Sequence, residues 1–245
     1  MRSIILLIVF LRNQKCHMDP VLITGLFSKK YGHLEKISQK ILHEVQTSLY
    51  INREYRERLI FLAGDVSAAS VLKNFGLKVH CIFDDAPDFI LKEPAFRMKH
   101  WMVYQMLRHH QEVIWIDWDT VNIKPLDVPF FQFCRKYQTP RFVYIPGYHA
   151  TINCSVYYVC QKWLSAMEKS FYIPTLETND ELMWLSVLPK DIKEKKEFWW
   201  GDYVVNVWLQ NECDWVTSNT YFVHIKTFDY YQRLEPLIKK YAKKI

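Results

Sequence analysis

The chain has 245 residues, a formal net charge of +6 and a composition that is half apolar and about a quarter charged. That excludes a disordered or low-complexity protein and fits one large domain or two small ones. The mild excess of Lys and Arg favours anionic partners without choosing among nucleotides, phosphates, nucleic acid and an acidic membrane face. Nine Trp, fifteen Tyr and fifteen Phe foretell an aromatic core and leave spare rings as platforms for flat ligands such as bases and sugars. Cys16, Cys81, Cys134, Cys154, Cys160 and Cys213 show no C-x-x-C or zinc spacing. They read as reduced and mostly buried, which suits a cytoplasmic protein.

The apolar run Ile4 to Leu11 is too short to span a bilayer. It reads as a short signal core, a first strand, or sequence upstream of a domain that opens at Met18. The last is preferred, so residues 1–17 are taken as an extension and 18–245 as the domain. From there strand and helix patterns alternate. PVLITGLFS is a strand. LEKISQKILHEVQTSLY is a helix with Leu34, Ile37, Ile41, Leu42, Val45 and Leu49 on one side. RLIFLAGD is a strand, SAASVLKNFG a helix closed by Gly76, LKVHCIF a strand, PAFRMKHWMVYQMLRHH a long helix and EVIWI a strand. Strands that are apolar on both faces and separated by helices predict an α/β fold. Its Rossmann-like, mostly parallel central sheet is flanked by helices, with ligands expected beyond the carboxyl ends of the strands. Thr24, Asp65, Asp84, Asp117 and Asp119 all fall at such ends.

The alternation then fades. RFVYIPGYH and ATINCSVYYVCQKW predict strands, the latter leading into a helix, so Asn153-Cys154-Ser155, formally a glycosylation sequon, is expected to be buried. TNDELMWLSVL and GDYVVNVWLQN predict helices, and WVTSNTYFVHIKTF a late strand. At the C-terminus, Leu234, Leu237, Ile238, Tyr241 and Ile245 recur at helical spacing among lysines. This reads as a basic amphipathic helix that docks on its own domain or makes peripheral membrane contact. Mixed strands in the second half would form the other wall of a cleft.

The most informative stretch is EVIWIDWDTVNIKPL, in which a buried strand runs into Asp117 and Asp119. Residues i and i+2 of an extended chain face the same way, so both carboxylates can point at one spot. Two like charges there call for a proton or a hard cation such as Mg²⁺ or Mn²⁺. Taken alone, the spacing fits a solvated turn or a helix cap equally well. Arg97 and Lys99, on the preceding helix, are candidates to face phosphates or to be ordinary solvated surface charges.

The block FRMKHWMVYQML…EVIWIDWDTVNIKPLDVPF resembles the core of nucleotide-sugar glycosyltransferases of the GT-A fold, where a strand ends in a D-x-D motif. ATINCSVYYVCQKW, GDYVVNVWL and YFVHIKTF are similar to later segments of that family in the same order. Ser155 stands where the family usually has glycine, and Tyr203 where it usually has glutamine. The resemblance implies a nucleotide-sugar donor, a glycan or other hydroxyl acceptor and a Mn²⁺ or Mg²⁺ cofactor, with no nucleic-acid partner. It implies Asp119 as a direct metal ligand, with Asp117 bound to the metal directly or through water, or to the ribose. It also implies His224 as a third ligand, Thr24 near the base and Asn153 near substrate. An inverting enzyme also needs a general base; Asp202, Asp180 and Glu181 are the candidates. Trp200, with Trp199, reads as a platform for acceptor sugar, a hydrophobic lid or a core corner. Two rival functions stand beside the transferase. One is a catalytically degenerate binding module of the same fold. The other is a nucleotidyltransferase, weakened because Gly25-Leu26-Phe27-Ser28-Lys29-Lys30 holds a single glycine.

Overall fold

The computed structural model describes residues 19–27, 37–53, 56–91, 95–145, 152–172, 180–207 and 216–225. The proposed extension 1–17 and the C-terminal amphipathic helix lie outside them. In the first half, strands and helices alternate as the apolar periodicity predicts. They are β1 (Val21–Leu26), α1 (Gln39–Ile51), β2 (Leu59–Ala63), α2 (Val66–Asn74), β3 (Val79–Cys81), α3 (Asp88–Leu91), α4 (Ala95–His109) and β4 (Glu112–Ile116). Local chemistry sets the starts: Ser38 Oγ accepts from Ile41 N–H at the head of α1, and Asp65 Oδ1 accepts from Ala68 N–H at the head of α2. Asp65, at the end of a strand, is thus a cap.

The second half contains β5 (Thr120–Asn122), α5 (Val128–Arg135), β6 (Arg141–Tyr144), β7 (Ile152–Cys160), α6 (Leu164–Ser170), α7 (Asp180–Leu185), β8 (Val204–Val207) and β9 (Phe222–Ile225). Strands β3-β2-β1-β4-β7-β6 form one sheet in that order, in which β7 alone runs antiparallel to its neighbours. This is the expected α/β architecture, with a mostly parallel sheet between helices. Strand β4 is buried on both faces: Val113 and Trp115 pack with the α4 side, and Ile114 and Ile116 with the α5 side. Gly25 lets α4 sit close on the sheet, because a Cβ there would press into Met102 and come within 2.8 Å of Trp115 Cη2. Cys81, Cys134, Cys154 and Cys160 are free thiols, the last three buried.

A second, three-stranded sheet has the order β5-β9-β8, with β5 antiparallel and β8 parallel to β9. It corrects one expectation. The segment from Gly201, read as a helix, is a short 3-10 turn at Gly201–Tyr203 followed by strand β8. Three valines in four residues resist a helix, and pairing with β9 supplies the hydrogen bonds. Helix α5 was not expected, although its signals are present: Asp127 caps it through Phe130 N–H and Pro129 sits in its first turn. No helix among the described residues is long and apolar enough to cross a membrane.

Candidate functional site

The turn that leaves β4 builds the site. Asp117 and Asp119 are not on an extended chain. Thr120 N–H donates to Asp117 O at 3.2 Å, closing a four-residue turn. Trp118 pins that turn to β1: its Nε1–H donates to Gly25 O at 2.7 Å, and its ring stacks on Phe61. The chain re-enters the small sheet at once, with Thr120 opposite His224 and Ile225 N–H donating to Asp119 O at 2.8 Å. The carboxylates therefore meet through a turn and a strand pairing, and the same pairing delivers His224. Ligand atoms of Asp117, Asp119 and His224 all lie within 4.8 Å of one another.

The donor set fits a hard divalent cation. His224 Nδ1 lies 2.5 Å from Asn206 Oδ1. An amide oxygen only accepts, so Nδ1 carries a proton, and in the neutral ring Nε2 is then a lone pair. That Nε2 is 3.1 Å from Asp119 Oδ1. Two lone pairs that close repel, so a proton or a metal ion has to mediate between them. Asn206 is the partner that turns the ring for the purpose.

Beneath the triad sits Lys99, 5 % exposed. Its ammonium is 3.0 Å from Asp117 Oδ1 and 2.8 Å from Asp180 Oδ2, and it donates to Cys154 O at 2.8 Å. Burial alone would push its pKa down, but the carboxylates of Asp117 and Asp180 outweigh burial and hold it well above the ordinary value. Burial raises the Asp117 pKa while Lys99 lowers it, and Trp115 Nε1–H donates to Asp117 Oδ1 at 2.6 Å. The Asp117 side chain stays 29 % exposed, so one side of the carboxylate faces the opening. Next in line is Glu181, whose pKa is pushed up to about 8 by burial and then by Asp180. At neutral pH it holds a proton. Asn153 Nδ2–H donates to Glu181 Oε1 at 3.4 Å, and Asn153 Oδ1 accepts from Ser155 N–H. The register of β6 on β7 shifts between Arg141 and Val143, an irregularity of the kind that re-aims side chains beside a site. Asp117 N–H donates to Ser155 O here at 2.7 Å.

An open cavity of about 640 Å³, counting its mouth, lies beside this cluster. Gly25, Leu26, Phe27, Ile41, Glu44, Lys99, Trp115, Asp117, Trp118 and Asp119 line it. It sits at the carboxyl ends of β1 and β4, adjacent strands from which the chain leaves toward opposite halves of the sheet. Lys99, Asp117 and Asp119 thus share one opening.

Other expected residues fall elsewhere. Thr24 is buried and lines a smaller neighbouring cavity with Ser48, Asn52 and Arg56. Arg97 is buried and donates to Phe171 O at 3.4 Å. Trp200 is fully buried, donates to Val156 O at 2.9 Å and stacks on Phe130, so it offers no exposed ring. The exposed partner of that aromatic corner is Tyr144, 4.8 Å from Trp199. Asp202 is exposed, on the 3-10 turn that precedes β8, and is not among the residues that line the cavity. Asp180 and Glu181 do join the cluster. Sequence reasoning missed Asn206, whose only signal was an asparagine in a valine run, and the wall formed by Trp118.

By sequence the chain matches no protein-family model and no curated protein. Among solved structures it is similar to a glycosyltransferase involved in glycosylating the major capsid of PBCV-1, with 13 % identity over 89 % of this chain and 98 % of that one, at a TM-score of 0.47. It is also similar to mouse xyloside xylosyltransferase 1, with 9 % identity over 92 % of this chain and 94 % of that one, at a TM-score of 0.45. A third is the galactosyltransferase LgtC in complex with donor and acceptor sugar analogues, at 10 % identity over 91 % and 97 % and a TM-score of 0.45.

Proposed function

We propose that the protein is a metal-dependent glycosyltransferase that moves a sugar from a nucleotide-sugar donor to a hydroxyl acceptor. The observation that carries this reading is the Asp117, Asp119 and His224 triad at the mouth of an open cavity that also exposes Lys99. Charge supports it. Asp117 and Asp180 share one buried ammonium and Asp119 adds a third carboxylate beside Asp117, which leaves a surplus of negative charge that a dication balances. When bound, Mn²⁺ or Mg²⁺ supplies Lewis-acid stabilisation of the charge that builds on a departing diphosphate.

The chain's own groups do the rest. Asp119 and His224 hold the ion from the small sheet, and Asp117 holds it from the end of β4. Lys99, fixed by Asp117 and Asp180, adds positive potential at the cavity floor, where phosphate oxygens would lie. Leu26, Phe27, Ile41 and Trp118 give the nucleoside apolar walls, and Glu44 offers a hydroxyl acceptor on that side. Asn153, Asp180 and Glu181 join the cluster through Lys99 and one another and are not among the residues that line the cavity. Because Glu181 carries a proton and Asp180 is paired with Lys99, these two are assigned to orienting acceptor hydroxyls by hydrogen bonding.

Thermal unfolding with and without Mn²⁺, across a panel of nucleoside diphosphates, tests the reading. A transferase gains stability from Mn²⁺ and one diphosphate together and slowly hydrolyses the matching nucleotide-sugar. Glycan binding without metal would identify a binding module instead, and pyrophosphate release from a nucleoside triphosphate a nucleotidyltransferase.

A further inference from the structure

Strand β5 lies at the edge of the small sheet, paired on one side with β9. Its other side would present Thr120 O and Asn122 N–H without a strand partner. Asn52, the residue that ends α1, fills that place. Its Nδ2–H donates to Thr120 O at 2.9 Å, and its Oδ1 accepts from Asn122 N–H at 3.0 Å. A carboxamide carries the same donor and acceptor as a peptide group, so it can engage residues i and i+2 of a strand as a neighbouring strand would. The side chain is 6 % exposed, and a further Nδ2 contact reaches Ser48 Oγ at 3.2 Å.

We infer that Asn52 is a positioning residue for the metal triad, standing in for the missing strand on the open edge of β5 and so holding Asp119 against His224. The inference rests on the metal reading above. Thr120 follows Asp119 directly and closes the turn back to Asp117. It is gripped on one edge by its pairing with His224 and on the other by Asn52. The small cavity lined by Thr24, Ser48, Asn52, Arg56 and Asp117 adjoins this grip. Without the carboxamide, Thr120 O and Asn122 N–H are left in a buried setting, and the turn relaxes to find other partners.

The test uses the full chain and Mn²⁺ alone, titrated by electron paramagnetic resonance, with amide hydrogen exchange read in parallel. Asn52→Leu keeps the size and removes both hydrogen bonds. Asn52→Asp keeps the acceptor for Asn122 N–H and loses the donor. Val45→Ala, in the fully buried core face of α1, is the control for lost stability. The expected result is Mn²⁺ affinity reduced about 10- to 100-fold in Asn52→Leu, a smaller loss in Asn52→Asp, and faster exchange at the Asn122 amide. Val45→Ala lowers the melting temperature and leaves Mn²⁺ affinity unchanged. If Asn52→Leu does not fold, Asn52→Asp carries the comparison. Unchanged affinity in folded Asn52 variants, with Mn²⁺ bound by the wild type, overturns this role and leaves the metal reading intact. A wild type that takes up no Mn²⁺ overturns both, even where exchange at Asn122 still shows the grip on β5.

Discussion

Two regions a few ångströms apart treat negative charge in opposite ways. Around Lys99, the carboxylates of Asp117 and Asp180 share an ammonium the chain supplies, and Trp115 and Cys154 add hydrogen bonds to the group. At the rim, Asp119 faces an imidazole nitrogen whose partner Asn206 turns a lone pair toward it. The first arrangement is complete within the protein; the second is completed by a proton or a metal. Internal compensation makes a structural element, and compensation left to the solvent makes a binding site.

The largest expected effect comes from breaking the completed side. Lys99→Met leaves the buried carboxylate of Asp180 without its cation and strips Asp117 of its own, and should cost about 3–5 kcal/mol in urea unfolding; a loss as small as that of a surface lysine would show that the knot holds nothing together. On the open side, Asp119→Ala should barely change the metal-free protein. It should abolish the Mn²⁺-dependent gain, which for one site at a hundred times its Kd is about 2.7 kcal/mol. His224→Ala should weaken that gain in the same direction, read from the same melting curves.

Glu181 sharpens the contrast through pH. Its folded pKa of about 8 stands above the ordinary 4.5, so the native state keeps a proton that the unfolded chain releases. The stability this provides is fully present below about pH 4.5 and is lost as pH rises through about 8. Glu181→Gln should flatten that decline, measured as melting temperature against pH. The smallest effect belongs to Asp202. Exposed and outside the lining of the cavity, Asp202→Asn should stay within about 0.5 kcal/mol of wild type in stability. It should also leave turnover of a nucleotide-sugar unchanged; a large loss of turnover with intact Mn²⁺ binding would restore Asp202 as the base.

The alternation of apolar strands and helices from β1 to β4 was legible because each element is long enough to show its period, and so was the position of Asp117 and Asp119 at a strand end. The small sheet was not. Its strands have three or four residues, too few to show a period, and Val204–Val207 continued a stretch that resembled a helix. Trp200 looked like a platform because two adjacent tryptophans give no hint that both are buried. Tyr144 gave no warning that it would be the exposed one.

The sequence by itself determined the alternation of strands and helices from β1 to β4 and the placing of a carboxylate pair beyond a buried strand, since local periodicity and burial demand these. Only tertiary structure decided which groups meet the pair. Lys99 and Asp180 arrive from one face of the sheet, His224 and Asn206 from a second sheet, and Asn52 from the end of a helix. Such meetings depend on register and packing between segments distant along the chain, for which local sequence carries no signal.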